Sequence, residues 1–248
     1  MLLNFEAAVR ARRAEREFSP IPLPRDVIDA ILEDARWAPS GFNLQPTRFV
    51  VVQGERRAAL AAAAFGQRQI AEAPVTIVVV ADTRPDRTEF QRVLKTDRDA
   101  GAVDDAYVRL LRRTVALMFQ RGPLGTLGIL KGLLTSTLGR WRPMPNFPAA
   151  APRRWAQTQA TIAATHLMLS AAARGVASCP MEGFGAARVR RVIGLPREFH
   201  IALLVPLGYA RATAPDDRPR RSRLPLAELV HWDTWTPRQS RSVRGGHA

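Results

Sequence analysis

The sequence predicts an α+β protein with one large domain. Three apolar, strand-like segments at residues 48–53, 75–81 and 201–207 lie at irregular intervals among helix-like segments, and no β-α-β unit repeats. The chain of 248 residues is long enough to bury one sizeable core. We therefore expect a single domain over residues 1–235, followed by a disordered basic tail at 236–248.

Two helices are predicted before the first strand. The first covers residues 4–16 and has arginines at its C-terminal end, where cations complement the helix dipole. A proline-rich connection at 20–24 follows. Apolar residues spaced three and four apart over 27–35 predict the second helix, which ends at the turn Pro39-Ser40-Gly41.

An alanine-rich helix is predicted between the first two strands, over 58–73, where Pro74 stops it. The β-branched run at 75–81 predicts a strand buried on both faces. Further along, 155–174 predicts a long helix with Gly175 as its stop, and 186–193 a short one before the third strand.

The segment 84–153 has the least regular pattern. It contains a charged, helix-like stretch at 89–113 and an apolar, glycine-containing stretch at 124–138. The second stretch could form a lid, a dimer extension or a helix on a membrane surface, because its apolar residues stand beside Lys131 and Arg140.

The composition is basic without indicating a nucleic-acid partner. There are 37 lysines and arginines against 22 acidic residues, a net charge of +15, and nearly all the cations are arginines. They are scattered, with no aromatic interleaving or nucleic-acid-binding motif. A single cysteine excludes an internal disulfide, and neither a signal peptide nor a membrane-spanning run is visible, so we expect a cytoplasmic protein.

Three segments carry the candidate binding residues. Arg12, Arg13 and Arg16 could converge on one phosphate, although a lone cluster of this kind is more often a solvated helix face. In the loop 39–46, Ser40, Asn43 and Gln45 alternate donors and acceptors between prolines, which suits a polar ring edge as well as an ordinary turn.

The third segment, Pro180-Met181-Glu182-Gly183, would leave backbone N–H groups free to face a ligand, unless it is a plain loop. Arg221 and Arg223 could add further cations. The four histidines lack metal-ligand spacing to Cys179, which we expect to be a buried, unreactive thiol.

Taken in chain order, these segments resemble the FMN-dependent nitroreductase family. The resemblance covers most of the chain outside 84–153, and one departure is Ala14, where the family has serine. The matching pieces are Arg12-Arg13-Ala14-Glu15-Arg16-Glu17-Phe18, Pro39 to Pro46 with the strand after it, 67–80, 155–175, Pro180-Met181-Glu182-Gly183-Phe184, 203–209 and Arg221-Ser222-Arg223-Leu224-Pro225.

The resemblance implies a mostly antiparallel central sheet flanked by helices, in an intertwined homodimer with FMN at the subunit interface. It implies that Ser40 and Asn43 reach the flavin from the partner subunit, and that Pro39 of the same loop also binds FMN. The other implied FMN-binding residues are Arg12, Arg13, Arg16, Gln67 or Gln69, Pro180, Met181, Glu182, Gly183, Arg221 and Arg223, with the Glu182 or Gly183 amide at flavin N5.

The implied activity is ping-pong reduction of an electron-poor acceptor, a nitroaromatic, quinone or enone, by NAD(P)H through flavin N5. No protein acid or base is required for it. Phe42, Phe119, Trp141 and Phe147 are candidate walls of the substrate slot. The same scaffold also supports dehalogenation, flavin fragmentation and dehydrogenation, and a non-catalytic FMN-binding protein remains an alternative.

Overall fold

The computed structural model describes residues 2–211 and 221–235. The chain divides into two compact units, Met1–Arg211 and Ala212–Ala248. The first unit carries the sheet, and the described part of the second contains one short helix. The extent of the domain to residue 235 stays a prediction, and the predicted tail at 236–248 lies outside the described residues.

Helices and strands alternate irregularly along the first unit. Short 3₁₀ turns lie at Gly41–Asn43, Pro123–Gly125 and Pro148–Ala150. In chain order the elements are α1 (Phe5–Ala11), α2 (Arg25–Arg36), β1 (Thr47–Val52), α3 (Arg56–Ala63), α4 (Arg68–Glu72), β2 (Val75–Asp82), α5 (Pro85–Thr88), α6 (Phe90–Asp99), α7 (Asp105–Phe119), α8 (Thr126–Leu138), α9 (Pro152–Ala173), β3 (Ala177–Ser178), α10 (Ala186–Val192) and β4 (Phe199–Gly208), and the second unit contains α11 (Leu226–Leu229).

The four strands form one sheet in the order β1-β2-β4-β3, and every neighbouring pair is antiparallel. At its centre, Val79 of β2 pairs with Phe49 of β1 and with Leu203 of β4. The predicted α+β class and antiparallel sheet are therefore confirmed. The strand β3 was not predicted, because two residues are too few to show a period.

Alternate residues of β2 supply two separate cores. Ile77 and Val79 belong to the core that includes residues of α2 and α9, whereas Val78 and Val80 belong to the core that includes residues of α3 and α10. Because helices cover both faces, every residue of β2 is buried, as its β-branched run predicted.

The predicted first helix is too long. The helix α1 begins at the Asn4 cap and ends at Ala11, and Arg12 already has an extended ψ of 120°. Beyond it, Ala14 forms a parallel bridge to Ser178 of β3, and the Glu15 N–H donates to the Ser178 carbonyl at 2.9 Å. Pairing with the sheet replaces helical hydrogen bonds here, so the arginines do not share a helix face.

Two other predicted helices are each split in two. Phe65 and Gly66, with φ of 61° and 68°, separate α3 from α4 within the predicted 58–73 helix. Gly101, with φ of 69°, lies between α6 and α7, and the Asp104 side chain caps α7 by accepting from the Tyr107 N–H at 2.7 Å. In both cases residues in the left-handed conformation follow the first of the two helices, α3 or α6, because that conformation cannot continue a helix.

The segment 84–153 is helical and has a core of its own. Its buried residues pack together with Leu44 from the loop before β1 and with Trp155 from α9. The core members contributed by the segment are Phe90, Leu94, Val108, Leu111, Val115 and Phe119. This segment is therefore anchored to the loop that carries Ser40 and Asn43.

Candidate functional site

The N-terminal arginines lie beside β3. Burial raises the pKa of Cys179, the nearby charge of Arg16 lowers it, the Glu15 carboxylate raises it and the charge of Arg12 lowers it. Neither guanidinium has an ion pair or hydrogen bond with another described residue. Arg13 differs, because its Nε lies 3.9 Å from the Glu15 carboxylate. Two cations without an ion pair therefore act on Cys179, directly before the 180–183 segment.

Glu15 organises this cluster, a role that was not predicted from the sequence. Its side chain is only 2% exposed and accepts from the backbone N–H groups of Arg16 at 2.8 Å and Glu17 at 3.1 Å. These bonds hold the chain in the turn that carries Arg16. A carboxylate between three arginines was the available signal, but sequence spacing does not show burial.

The segment Pro180–Gly183 leaves two backbone donors unused. Met181 is tied to β4 by a bridge to Leu204, with both backbone hydrogen bonds at 2.9 Å. Beyond it, the N–H groups of Glu182 and Gly183 have no acceptor within residues 2–211 and 221–235, and both residues are exposed. Free N–H groups of this kind suit an anionic or heteroaromatic ligand edge.

Gln67 ties this loop to the turn between α3 and α4. Its side-chain amide donates to the Gly183 carbonyl and, at 3.0 Å, to the Ala64 carbonyl. The Gln69 side-chain amide donates to the side-chain oxygen Oε1 of Gln67 at 3.3 Å. The structure thus brings Gln67 and Gln69 to the 180–183 loop. Cys179 directly precedes this loop, and the charges of Arg12 and Arg16 act on it.

The loop that carries Ser40 lies at the opposite edge of the sheet from the arginines. It leads into β1, whereas the arginines flank β3, and these are the two edge strands of the sheet. Three strand spacings separate the edges, roughly 14 Å. Within one chain, Ser40 and Asn43 therefore do not join the arginine cluster.

The Ser40 loop is rigidly held by polar contacts. The Ser40 hydroxyl accepts from the Gln45 N–H at 2.9 Å, and the Gly41 N–H donates to Gln159 of α9 at 2.9 Å. Asn43 takes a left-handed φ of 51° and donates to Asp97 of α6 at 3.1 Å. Asparagine accepts this conformation more readily than most residues, which explains its place in the turn.

A small cleft of about 90 Å³ opens beside this loop and is lined in part by Pro39, Ser40 and Gln45. Arg48 and Glu89 also line it, and they form an ion pair at 2.8 Å. Pockets for small-molecule ligands usually measure roughly 300–1,000 Å³. This cleft is therefore too small to enclose a flavin.

The candidate substrate residues occupy different environments. Phe119 is 4% exposed and packs edge-on against Trp155 at 4.9 Å and Phe42 at 6.4 Å between ring centroids. It supports Phe42 and offers a substrate almost no surface in the described chain. Trp141 is 85% exposed, and Phe147 packs under the Lys131 ammonium at 5.4 Å. Contact of these residues with a substrate stays a prediction.

Arg221 and Arg223 belong to the second unit. Both are exposed, and the Arg223 guanidinium donates to the Arg221 and Ser222 carbonyls at 3.2 and 3.1 Å. Their implied part in phosphate binding stays a prediction. Cys179 is free and buried, as the sequence predicted.

Comparison with known proteins agrees with this architecture. A model described as "Nitroreductase family" matches residues 9–209. The chain is 33% identical over 232 residues to "NADH dehydrogenase" of Thermus thermophilus, covering 93% of this chain and 97% of that protein. It is 26% identical over 239 residues to MhqN of Bacillus subtilis, which is named as an NAD(P)H nitroreductase, covering 93% and 100%. The chain belongs to the nitroreductase family.

One solved structure shows the shared fold. It is a protein from Exiguobacterium sibiricum, described as a nitroreductase in complex with FMN. The two chains superpose with a TM-score of 0.67 at 22% identity, over 93% of this chain and 97% of that chain. The antiparallel sheet and its flanking helices are therefore a known arrangement.

Proposed function

We propose that the protein is an FMN-dependent NAD(P)H oxidoreductase that reduces an electron-poor small organic acceptor of the nitroaromatic, quinone or enone type. The observation that carries the proposal is the pair of free N–H groups at Glu182 and Gly183, in a segment directly preceded by Cys179, on which the charges of Arg16 and Arg12 act. A planar, polar ring with a phosphate tail needs both features.

The residues fit FMN by their chemistry. Arg12, Arg13 and Arg16 would hold the phosphate and the pyrimidine edge, because guanidinium groups form strong charge-assisted hydrogen bonds to anions. Gln67 or Gln69 would contact the ribityl or pyrimidine side. We expect the remaining phosphate contacts to come from Arg221 and Arg223.

The backbone at Pro180–Gly183 would lie along the ring. When bound, FMN accepts hydride from NAD(P)H at N5 and passes it to the acceptor. The Glu182 or Gly183 N–H would donate to that atom and add no proton of its own. Because no side chain has to transfer a proton, we assign no catalytic residue.

The unit of function is proposed to be a homodimer. The Ser40 loop and the arginine cluster lie at opposite sheet edges of one chain, and the Ser40 cleft is too small for the cofactor. A second copy would bring its Pro39, Ser40 and Asn43 to the first copy's arginines, which would complete two equivalent sites.

Absorbance spectroscopy of the purified full-length protein tests the function. We expect a yellow protein whose flavin absorbance bleaches under NADH or NADPH without oxygen and returns when a quinone or nitroaromatic is added. Colourless protein that takes up no added FMN would end the flavin proposal. Yellow protein that neither nucleotide bleaches would instead indicate FMN binding without turnover.

A further inference from the structure

The helix α8 packs with its small and polar side inward. Gly128 is buried against the Ala149 carbonyl, where an added Cβ would come within 2.4 Å of the oxygen. Gly132, one turn later, approaches the Ala150 side chain. Lys131 donates to the Gln120 carbonyl at 2.9 Å at the end of α7. This side of the helix is therefore fully used in packing.

The outward side of α8 is apolar. Ile129 is 65% exposed and Leu133 is 58% exposed. The other exposed aliphatic residues of the helix are Leu127, Leu130, Leu134 and Leu138. A surface helix normally turns this side to the core. A contiguous aliphatic face that is exposed to solvent marks a surface that binds a protein partner or a membrane.

The chain before and after α8 is positively charged. Residues 106–154 contain no aspartate or glutamate but nine cations, Arg109, Arg112, Arg113, Arg121, Lys131, Arg140, Arg142, Arg153 and Arg154. Within the described part of the chain, none of the nine takes part in an ion pair. Lys131 points inward, but Arg140 and Arg142, directly after the helix, are exposed and available to an anionic surface.

The dimensions of α8 suit a helix that lies on a bilayer. Thirteen residues give a helix of roughly 20 Å, shorter than the hydrocarbon core of a membrane. Among the described helices, none is long and apolar enough to cross a bilayer. Trp141, three residues after the helix, is 85% exposed, and tryptophan favours the membrane interface.

We propose that α8 docks the protein on the surface of an anionic lipid bilayer. The apolar face enters the boundary between headgroups and acyl chains, and Arg140 and Arg142 at the end of the helix contact anionic headgroups. An apolar acceptor dissolved in the bilayer would then reach the enzyme by diffusion in the plane of the membrane. Docking itself does not depend on the proposed flavin chemistry.

Sedimentation of the full-length protein with lipid vesicles tests the proposal. We expect binding to vesicles of phosphatidylglycerol and phosphatidylcholine in equal parts, weak binding to pure phosphatidylcholine, and release as salt is raised. The Ile129→Ser/Leu133→Ser variant should lower the partition coefficient at least about tenfold. Arg140→Gln/Arg142→Gln should lower it on anionic vesicles and leave it unchanged on neutral ones.

Ile21→Ser is the matched control, because Ile21 is 57% exposed but lies between α1 and α2. It should bind vesicles as the unmodified protein does, whereas Ile129→Ser alone should bind less. Failure of the unmodified protein to bind anionic vesicles overturns the proposal. The proposal is also overturned if the Ile129→Ser/Leu133→Ser variant binds vesicles normally but has a different oligomeric state in light scattering. That result would identify α8 as a contact between two copies of the chain. Colourless protein that still binds vesicles would overturn the flavin proposal alone.

Discussion

At the scale of single residues, the candidate site combines cations that have no ion pair with backbone N–H groups that have no acceptor. Most cations for which an ion pair is described meet a carboxylate on the same or a neighbouring turn, as Arg25 does with Asp29 at 2.8 Å. Arg12 and Arg16 meet none among the described residues, although Glu15 lies between them in sequence. Glu15 instead uses its carboxylate on backbone N–H groups. The two guanidinium groups therefore stay available for an anionic ligand.

Replacing Arg12 with alanine should weaken FMN binding. The loss of a charge-assisted hydrogen bond to phosphate costs about 1.5–3 kcal/mol. That corresponds to roughly a 10- to 150-fold rise in Kd. Titration of the apoprotein with FMN, followed by the quenching of flavin fluorescence, measures the change.

Arg25→Ala serves as the control, because Arg25 is an exposed cation whose partner Asp29 is on its own helix. It should leave the FMN affinity unchanged. An Arg12→Ala protein that binds FMN as tightly as the unmodified chain would remove Arg12 from the phosphate site.

At the scale of elements, the attachment of α8 depends on glycine. The helix lies against the turn Pro148–Ala150, and only a residue without Cβ fits at Gly128. Gly132 meets the same turn, but an added Cβ there would lie 3.4 Å from the Ala150 Cβ, which is an ordinary contact. Gly128 and Gly132 therefore lie on one helix face but differ in whether they tolerate an added side chain.

Gly128→Ala should destabilise the protein by about 1–3 kcal/mol, because the new methyl group overlaps a backbone carbonyl. Gly132→Ala should be neutral or stabilise by up to about 1 kcal/mol, since alanine favours the helix interior. Urea unfolding followed by circular dichroism compares the two. Equal stabilities of the two variants would contradict the packing of α8 described above.

At the scale of the whole molecule, the sheet order separates the two halves of the proposed site. The arginines lie beside β3 and the Ser40 loop precedes β1, so the four-stranded sheet lies between them. No side-chain rearrangement within one chain removes a separation of roughly 14 Å set by strand spacing. We therefore expect the proposed site to be completed by a second copy of the chain.

Mixing two defective variants tests this expectation. Arg12→Ala/Arg16→Ala damages one half of the site and Ser40→Ala/Asn43→Gly the other, where glycine accepts the left-handed φ of Asn43. Each variant alone should bind FMN weakly. Subunit exchange between them should restore one intact site in each mixed dimer, measured by flavin retained after gel filtration.

Two outcomes would contradict the shared site. One is a mixture that retains no more flavin than the separate variants, although exchange has been verified with a tagged chain. The other is a stable monomer of 27.4 kDa in light scattering of the FMN-bound protein.

The sequence alone determined the class of the fold and most of its elements. The apolar run at 75–81 predicted a doubly buried strand, the spacing over 27–35 predicted α2, and Pro180-Met181-Glu182-Gly183 predicted free backbone donors. These features follow from local periodicity and from the covalent properties of proline and glycine, which need no knowledge of distant residues.

Only the tertiary structure decided how the site is assembled. Pairing of Ala14 with Ser178 ended α1 early, and burial of Glu15 left Arg12 and Arg16 without a carboxylate partner. The sheet order placed Ser40 at the far edge, and the contact of Gly128 with Ala149 turned the leucines of α8 outward. Each of these outcomes depends on contacts between residues distant in sequence, whose energies outweigh local propensity and leave no periodic signal in the chain.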